Sequence, residues 1–266
     1  MKIACGIAYD GTDFHGFQRQ ADDQGPTIQG TLEEAIERIG GSRVTVYGAG
    51  RTDAGVHASG QVIHFDGGSR LTPVVWLRAL NANLPETLAV RRAFAVPERF
   101  HARYSAQSRS YRYTIWNDPA PDPLAARYSL HRPEPLTLEL MAEACQHLRG
   151  RRNFAAFGRS PDETNPQKPG PHSCVRTLLE ATCMGRDGFI YCDFTADAFL
   201  TGMVRRIVGT LLLVGQRRLS PDAFATIVER AEKSHPGPSA PARGLCLVRV
   251  AYPETFGLEE TRRTGA

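Results

Sequence analysis

The sequence predicts an α+β protein made of two ferredoxin-like units, each with the element order β-α-β-β-α-β. Three observations support this prediction. Segments with the alternating apolar pattern of strands recur along the 266 residues. Segments with apolar residues at helical spacing lie between them. The order of strands and helices in the first half of the chain then recurs in the second half. We therefore expect two mainly antiparallel sheets with a central cleft between them.

The first half of the chain contains two helices with clear start signals. Behind Thr27, apolar residues recur at helical spacing until Gly40-Gly41. Thr72 and Pro73 provide an N-cap and a proline at the first position of the second helix. The predicted strands of this half are Lys2–Tyr9, 44–47, 61–65 and Leu88–Val96, and the predicted helices are 27–39 and 72–80.

The second half repeats this order with longer connections. An apolar stripe at helical spacing begins behind Thr137, which we predict to be an N-cap. Arg186-Asp187-Gly188 indicates the turn of a β-hairpin, and Ser220-Pro221 indicates the start of the last helix. The predicted strands are 111–116, 175–183, 189–195 and 245–250, and the other predicted helices are 138–148 and 199–214.

Two stretches are predicted to be loops because they are rich in proline and glycine, which interrupt regular structure. Residues 158–173 contain four prolines, and residues 233–244 have a similar composition. We divide the chain into an N-terminal half, 1–104, with an aspartate-containing loop, and a C-terminal half, 105–266. The C-terminal half carries a tyrosine-containing strand and an arginine-containing helix.

The cysteine pattern argues against a metal site. The six cysteines are widely separated, and the sequence has no Cys-x-x-Cys pair, which zinc-ribbon sites require. Scattered reduced thiols are typical of a reducing compartment. The apolar run in the first nine residues is too short for a secretion signal, and no stretch approaches about 18 apolar residues. We therefore expect a cytoplasmic protein without a membrane partner.

The distribution of arginines is more informative than the net charge of +4, which is a weak indication of an anionic partner. Between residues 91 and 112, six arginines are accompanied by a single acidic residue, Glu98. Four aromatic residues and His101 lie among them, and Tyr113 follows directly. Arginine mixed with aromatic residues is typical of surfaces that bind phosphates and stack on bases. Composition leaves an alternative equally open, that these arginines are solvated side chains on strands and helices.

The densest motif is Gly48-Ala49-Gly50-Arg51-Thr52-Asp53-Ala54-Gly55-Val56-His57, which lies between two predicted strands. Three glycines in eight residues indicate tight turns and a close approach to the backbone. A dinucleotide-binding loop would need a third glycine where Asp53 stands, followed by a helix. Because a carboxylate would then face the phosphate, we reject that interpretation.

Asp53 is the candidate for chemistry in this motif. An aspartate in such a turn is, on its own, more often a residue that closes the turn through its side chain. Arg51, two residues away, and the basic, aromatic segments favour a functional interpretation. An aspartate in an electropositive cleft stays ionised, which suits a nucleophile or an electrostatic stabiliser and does not suit a general acid.

Residues 50–57, followed by Gly60-Gln61-Val62-Ile63-His64-Phe65, closely resemble the tRNA pseudouridine synthase A family. Further blocks resemble the same family, in order, along nearly the whole chain. They are Tyr9-Asp10-Gly11, Gly16-Phe17-Gln18-Arg19-Gln20, Asn81-Ala82-Asn83-Leu84-Pro85, Phe100-His101-Ala102-Arg103, Tyr111-Arg112-Tyr113, Met203-Val204-Arg205-Arg206-Ile207-Val208-Gly209 and Gly244-Leu245 with Leu247-Val248.

The resemblance implies that the protein isomerises uridine to pseudouridine in the anticodon stem-loop of tRNA, at positions 38–40, without a metal or an organic cofactor. It also implies a homodimer. Asp53 corresponds to the nucleophilic aspartate, and Tyr111 to the tyrosine that stacks on the target uracil. Arg205 corresponds to the arginine that pairs with the aspartate, and Arg51 to an arginine that handles the flipped base.

Apart from the resemblance, these assignments have simpler alternatives. Tyr111 shares a strand face with Tyr113 and Ile115 and would be expected in the core. Arg205 lies opposite the apolar stripe of its helix and faces either a cleft or water. The alternative function is a catalytically silent protein that binds or folds RNA on the same scaffold. The presence of Asp53 with Tyr111 and Arg205 argues against it, because RNA binding alone needs no carboxylate facing an anionic ligand.

Overall fold

The computed structural model describes residues 1–20, 25–68, 70–160, 173–232 and 237–258. Residues 161–172 of the first predicted loop and residues 233–236 of the second therefore lie outside the described residues. Within the described ranges, no helix combines the length and the hydropathy that crossing a membrane requires. The six cysteines lie within these ranges and are free thiols.

The first part of the chain forms the predicted order of elements. They are β1 (Lys2–Tyr9), α1 (Ile28–Gly40), β2 (Tyr47–Gly48), β3 (His57–Asp66), α2 (Pro73–Asn83) and β4 (Leu88–Val96). Thr27 caps α1, because its side chain accepts a hydrogen bond from the N–H of Gly30. Thr72 caps α2 in the same way, through the N–H of Val75. The predicted N-cap at Thr72 is therefore confirmed, whereas Thr27, predicted as the first helical residue, is the N-cap of α1.

The predicted strand 44–47 is wrong, because only Tyr47–Gly48 pairs with β3. The reason lies in two side chains of α1. Glu33 Oε1 accepts a hydrogen bond from the N–H of Val46 at 3.0 Å, and Gln29 Nε2 donates to the Val46 carbonyl at 3.2 Å. These side chains bind the backbone groups of Val46 that a strand would use in its ladder.

The second part of the chain adds longer elements. They are β5 (Ser108–Trp116), β6 (Leu130–His131), α3 (Leu138–Gln146), β7 (Gly150–Asn153), β8 (Val175–Arg186), β9 (Phe189–Ala196), α4 (Met203–Gly215), α5 (Pro221–Arg230) and β10 (Leu245–Ala251). Strands β8 and β9 form the predicted hairpin, whose turn residues Asp187 and Gly188 both have positive φ. Ser220 caps α5 as predicted. The two short strands β6 and β7 were not predicted.

One predicted N-cap lacks its hydrogen bond, and one predicted helix start differs from the structure. Thr137 stands at the N-cap of α3 but makes no capping hydrogen bond, because its hydroxyl oxygen accepts one from Arg217 Nε at 3.1 Å. Helix α4 begins at Met203 and not at residue 199. Gly202 has a φ of 71°, which is outside the helical region, and Thr201 forms a β-bridge with Arg159.

The strands form one sheet in the order β4-β1-β3-β10-β5-β9-β8-β7, with β2 paired to β3 and β6 to β5. The expectation of two separate sheets is therefore wrong. Strand β10 pairs in parallel with β3 through Cys246–His57 and Leu247–Ala58, and antiparallel with β5. Because β2 is only two residues long and covers one end of β3, the other end of β3 remains available to β10.

Helix α4 is buried on most of its surface, and it contacts α3 and α5. At Gly209 it meets the segment 237–244, which precedes β10. A Cβ at Gly209 would lie 1.6 Å from the Pro238 carbonyl oxygen, so only glycine allows this approach. The Tyr113 hydroxyl on β5 donates to the Pro241 carbonyl at 2.8 Å. These contacts fix the segment 237–244 between α4 and the sheet.

Candidate active site

A pocket of about 890 Å³ lies between the motif that contains Asp53 and the N-terminal end of α4. Its volume is near the upper end of the range of about 300–1,000 Å³ that is usual for ligand sites. All four residues singled out in the sequence, Arg51, Asp53, Tyr111 and Arg205, line this pocket. The structure therefore brings together side chains that are far apart in the chain, since Asp53 and Arg205 are separated by 152 positions.

The backbone around Asp53 is fixed from several directions. The N–H of Phe17 donates to the Thr52 carbonyl at 3.0 Å, and Gln61 Nε2 donates to the Gly50 carbonyl at 2.8 Å. Gly55 has a φ of 76°, so the tight turn predicted for this motif is confirmed. The loop is thereby held in a single conformation that directs the Asp53 carboxylate into the pocket.

A buried polar group under the loop was not predicted to have a role. The Tyr9 hydroxyl lies 2.9 Å from Thr52 Oγ1 and 3.5 Å from Gln61 Nε2. Burial raises the pKa of Tyr9 well above its usual range, so its hydroxyl stays neutral and able to donate a hydrogen bond. Tyr9 and Gln61 both belong to sequence blocks that resemble the family, although neither was given a role. They lie close together because β1 pairs with β3.

Arg205 contacts Asp53 across the pocket, with Nη1 3.0 Å from Asp53 Oδ2. Its Nε donates to the Ala240 carbonyl at 2.7 Å, and the Ala240 N–H donates to the Arg205 carbonyl at 2.9 Å. The side chain of Asp53 remains 34% exposed and that of Arg205 remains 23% exposed, so the pair is accessible from the pocket. Among the described residues, no other hydrogen bond reaches the Asp53 carboxylate. One carboxylate oxygen is thus oriented by the guanidinium, and the second faces no donor of these residues.

Tyr111 is both a core residue and a lining residue. Only 8% of its surface is exposed, and its neighbours on the same strand face, Tyr113 and Ile115, are fully buried. Its ring meets Phe199 edge-on, with centroids 5.0 Å apart, and both rings line the pocket. Burial raises the pKa of Tyr111 above its usual range. The ring therefore borders the pocket as an uncharged surface next to the Asp53–Arg205 pair.

Arg51 is exposed and lines the same pocket two residues before Asp53. Its position differs from that of Arg205, which is partly buried and hydrogen-bonded to backbone. The two arginines thus approach the site from different elements, one from the loop and one from α4. The arrangement places a carboxylate, an oriented guanidinium and an aromatic surface within one cavity.

Arg109 is a structural residue that sequence reasoning counted with the phosphate-binding arginines. It is buried, and its guanidinium donates to the carbonyls of Ala49, Arg103, Ala106 and Asp197. Burial lowers its pKa. The alternation along β5 contained the signal, because residues 109, 111 and 113 fall on the same buried face. Arg109 joins the motif containing Asp53 to the segment after β9.

Arg112 lies on the opposite face of β5 and fits the alternative of a solvated strand arginine. It is exposed and binds both carboxylate oxygens of Asp193 at 2.8 Å each. The guanidinium lies 5.0 Å from the centroid of the Tyr191 ring. Hydrogen bonds from Arg112 to Asp193 raise the pKa of the arginine. Neither member of this pair lines the pocket.

His57 connects the turn that follows β1 to the segment 237–244. Its Nδ1 accepts a hydrogen bond from the Gly11 N–H at 3.1 Å, and its Nε2 lies 3.1 Å from the Arg243 carbonyl. Burial lowers the pKa of His57 and outweighs the attraction of Asp10. A neutral ring therefore bridges the two segments. Within the part of the chain that the structure describes, no group of three or more His, Cys, Asp or Glu side chains is arranged to hold a metal ion.

Comparisons with known proteins show the family to which the chain belongs. The family model described as tRNA pseudouridine synthase matches residues 6–105 and 144–253, which include Arg51, Asp53 and Arg205 but not Tyr111. The chain is 43% identical over 252 residues to tRNA pseudouridine synthase A of Moorella thermoacetica, covering 95% of this chain and 99% of the relative.

Two further relatives carry the same name and similar coverage. The chain is 42% identical to that of Methylacidiphilum infernorum over 93% of this chain and 94% of the relative. It is 40% identical to that of Pseudoalteromonas atlantica over 98% of this chain and 96% of the relative. Because the family model covers most of the chain and these identities extend over nearly all of it, the chain belongs to the tRNA pseudouridine synthase family.

Proposed function

We propose that this protein isomerises uridine to pseudouridine in tRNA, with Asp53 as the nucleophile. The observation that carries the proposal is the pairing of Asp53 with Arg205 at 3.0 Å in a pocket that Tyr111 also lines, in a chain of this family. An ionised aspartate with one oxygen oriented by a cation and accessible from a cavity suits nucleophilic attack.

The reaction rearranges bonds without gaining or losing atoms. The glycosidic C1′–N1 bond breaks and a bond forms between C1′ and C5 of the same uracil. The proton on C5 is lost and N1 gains one, so the chemistry needs no oxidant or reductant. Asp53 attacks the nucleoside at the sugar C1′ or at the base C6. Arg205 orients the Asp53 carboxylate and stabilises the negative charge that moves between this carboxylate and the uracil. These roles use only side chains, and we propose no metal and no organic cofactor.

The target base must leave the RNA stack before Asp53 can reach it, at a cost of a few kcal/mol. Stacking on an aromatic ring returns about 1–3 kcal/mol per base. Tyr111 supplies that ring on one wall of the pocket. Arg51, which is exposed next to Asp53, handles the flipped base or its phosphate. Tyr111 and Arg51 therefore hold the nucleotide, and Asp53 and Arg205 act on it.

The resemblance supports three finer proposals. The substrate uridines lie in the anticodon stem-loop at positions 38–40, the protein is a homodimer, and it acts in the cytoplasm. We also propose that the halves 1–104 and 105–266 are copies of one ferredoxin-like unit with the active site in the cleft between them. The strand orders β4-β1-β3-β2 and β10-β5-β9-β8 support this. When the short strands β6 and β7 are left out, each order places the fourth, first, third and second strands of its half next to one another.

The test is to incubate purified protein with unmodified tRNA transcripts, without added cofactor, and to map pseudouridine by carbodiimide treatment and primer extension. Asp53→Asn is compared with Asp193→Asn, a matched aspartate that also pairs with an arginine but does not line the pocket. We expect product in the anticodon arm from wild type and Asp193→Asn. Asp53→Asn should bind tRNA and lose about 10⁴-fold or more in turnover.

Each alternative outcome has a definite meaning. Turnover by Asp53→Asn within tenfold of wild type would refute the nucleophile. Product that persists in transcripts with cytidine at positions 38–40 would refute the anticodon-arm assignment. Tight binding of tRNA by wild-type protein without any product would instead support the catalytically silent RNA-binding protein.

A further inference from the structure

At the mouth of the pocket, three aromatic side chains and one arginine form a cluster that the proposed chemistry does not use. We call Tyr47, His101, Arg103 and Tyr104 the rim cluster. All four line the pocket that contains Asp53. The His101 ring lies 5.3 Å from Tyr47 and 4.4 Å from Tyr104, centroid to centroid, and the Arg103 guanidinium lies 5.7 Å from the Tyr104 ring.

The rings of this cluster are supported from beneath. Tyr47 stacks on the buried His64 ring at 5.0 Å, with an interplanar angle of 17°. His64 Nδ1 accepts a hydrogen bond from the Ala102 N–H at 3.1 Å. His101 Nδ1 accepts from the Arg103 N–H at 3.1 Å. A nitrogen that accepts a hydrogen bond carries no proton, so both histidines are neutral and present uncharged ring faces.

Burial has the same effect on the two histidines. It lowers the pKa of His64 to about 4 and lowers that of His101, with the nearby positive charge of Lys2 adding to each shift. The rim cluster at neutral pH therefore has a single cation, Arg103, and three uncharged rings. This combination suits a ligand with a flat aromatic face next to an anionic group.

The two tyrosines add little to the protein core. Tyr104 is 74% exposed and Tyr47 is 47% exposed, although tyrosine usually buries its ring. Their rings lie on the same cavity as Asp53, and a cavity of about 890 Å³ is larger than one pyrimidine requires. Space and aromatic surface are therefore available for a second base beside the one that reaches Asp53.

We propose that the rim cluster is a stacking site for a second unpaired RNA base, a neighbour of the uridine that enters the pocket. Tyr104 and Tyr47 contribute ring faces, and Arg103 contacts the adjoining phosphate. The proposal rests on the proposed function, because it takes an RNA strand to be the occupant of the pocket. Stacking is tolerant of base identity, so the site recognises an unpaired conformation more than a sequence.

The first arm of the test measures RNA affinity without turnover. Binding of an anticodon stem-loop RNA is measured in the Asp53→Asn background, with and without Tyr104→Ala. Loss of a stacked base should raise Kd by about 5- to 150-fold. Tyr104→Phe keeps the ring and should stay within about threefold of its parent. Leu124→Ala removes an apolar side chain that is 90% exposed and outside the pocket, and it should have no effect.

The second arm removes bases from the RNA. A single abasic nucleotide is placed at each loop position in turn, and Kd is measured for the parent protein and for Tyr104→Ala. At one position, the abasic change should weaken binding to the parent but add nothing to Tyr104→Ala. Additive losses at every position would overturn the proposal, and so would a Tyr104→Phe variant as weak as Tyr104→Ala.

These results are independent of the proposed reaction. If wild-type protein makes no pseudouridine, the proposed function fails. The double-mutant cycle that combines Tyr104→Ala with the abasic RNAs still decides whether a base stacks on Tyr104. If wild-type protein makes pseudouridine and the cycle is additive, only the stacking site fails. In an active enzyme, Tyr104→Ala should raise KM and leave kcat within about threefold, because the Asp53–Arg205 pair is intact.

Discussion

The pocket has a fixed floor and an open rim, and the two differ in how their side chains are supported. The floor consists of Asp53, Tyr111 and Arg205, which are partly or fully buried and supported by backbone hydrogen bonds or by packing. In the rim cluster, Tyr47 and Tyr104 are exposed, and their rings are supported by contacts with His64 and His101. From this difference we expect changes in the floor to alter the reaction rate and changes in the rim to alter how firmly RNA is held.

Arg205 gives the largest expected effect of the three changes that test this division. Arg205→Met removes both the contact with Asp53 and the hydrogen bond to Ala240. We expect kcat to fall about 10²- to 10³-fold, the usual cost of losing one preorganised charge-stabilising donor. The tRNA Kd should change less than threefold. Single-turnover assays and filter binding measure the two quantities.

Arg206→Met is the matched control, because Arg206 is the next residue of α4 and does not line the pocket. It should retain wild-type kcat. If Arg205→Met raised Kd tenfold and left kcat unchanged, Arg205 would belong functionally to the rim, and the comparison between floor and rim would fail at this residue.

Tyr111 gives an intermediate effect. Tyr111→Leu keeps an apolar side chain in a nearly buried position but removes the ring that borders the pocket. We expect kcat/KM to fall about 5- to 150-fold, which corresponds to the loss of one stacked base. Thermal unfolding of the variant establishes that the fold is retained. Tyr111→Phe separates ring from hydroxyl, and an equal loss in both variants would contradict the stacking assignment.

Arg103 gives the smallest effect and tests the rim as an electrostatic surface. Arg103→Gln should weaken tRNA binding and reduce the slope of log Kd against log salt concentration by about 0.7 to 0.9, the value for one phosphate contact. It should leave kcat at saturating tRNA unchanged. Arg112→Gln is the control, because Arg112 is already bound to Asp193 outside the pocket. An equal change of slope in both variants would argue against a specific contact at Arg103.

Local signals in the sequence predicted most of the elements. The alternation in Lys2–Tyr9 and Leu88–Val96 predicts bounds that agree with the structure, and the predicted caps Thr72 and Ser220 mark true helix starts. Each of these features depends on residues close together in the chain. Long-range pairing is different, because no local pattern indicates that β10 inserts next to β3 and joins two expected sheets into one.

The residues of the candidate site also differ in whether local sequence predicts which of them lie close together. Asp53 and Arg51 share one motif, so their proximity follows from the sequence. The contact between Asp53 and Arg205 spans 152 positions and came only from the resemblance. Arg109 was misjudged because its four carbonyl acceptors come from loops whose positions the sequence does not disclose. The alternation along β5 places Arg109 on the buried face, but it does not indicate which carbonyl groups Arg109 binds there.

The position of β10 has a consequence for biosynthesis. This strand follows all the other described strands in the chain, yet it lies in the middle of the sheet, between β3 and β5. On the ribosome, β1, β3 and β4 can pair before β10 has emerged, but they cannot yet be joined by hydrogen bonds to β5, β8 and β9. The segment 237–244, which holds Ala240 against Arg205, is made just before β10. A nascent chain that lacks these residues therefore has neither a continuous sheet nor a complete pocket, and catalytic competence arises late in translation.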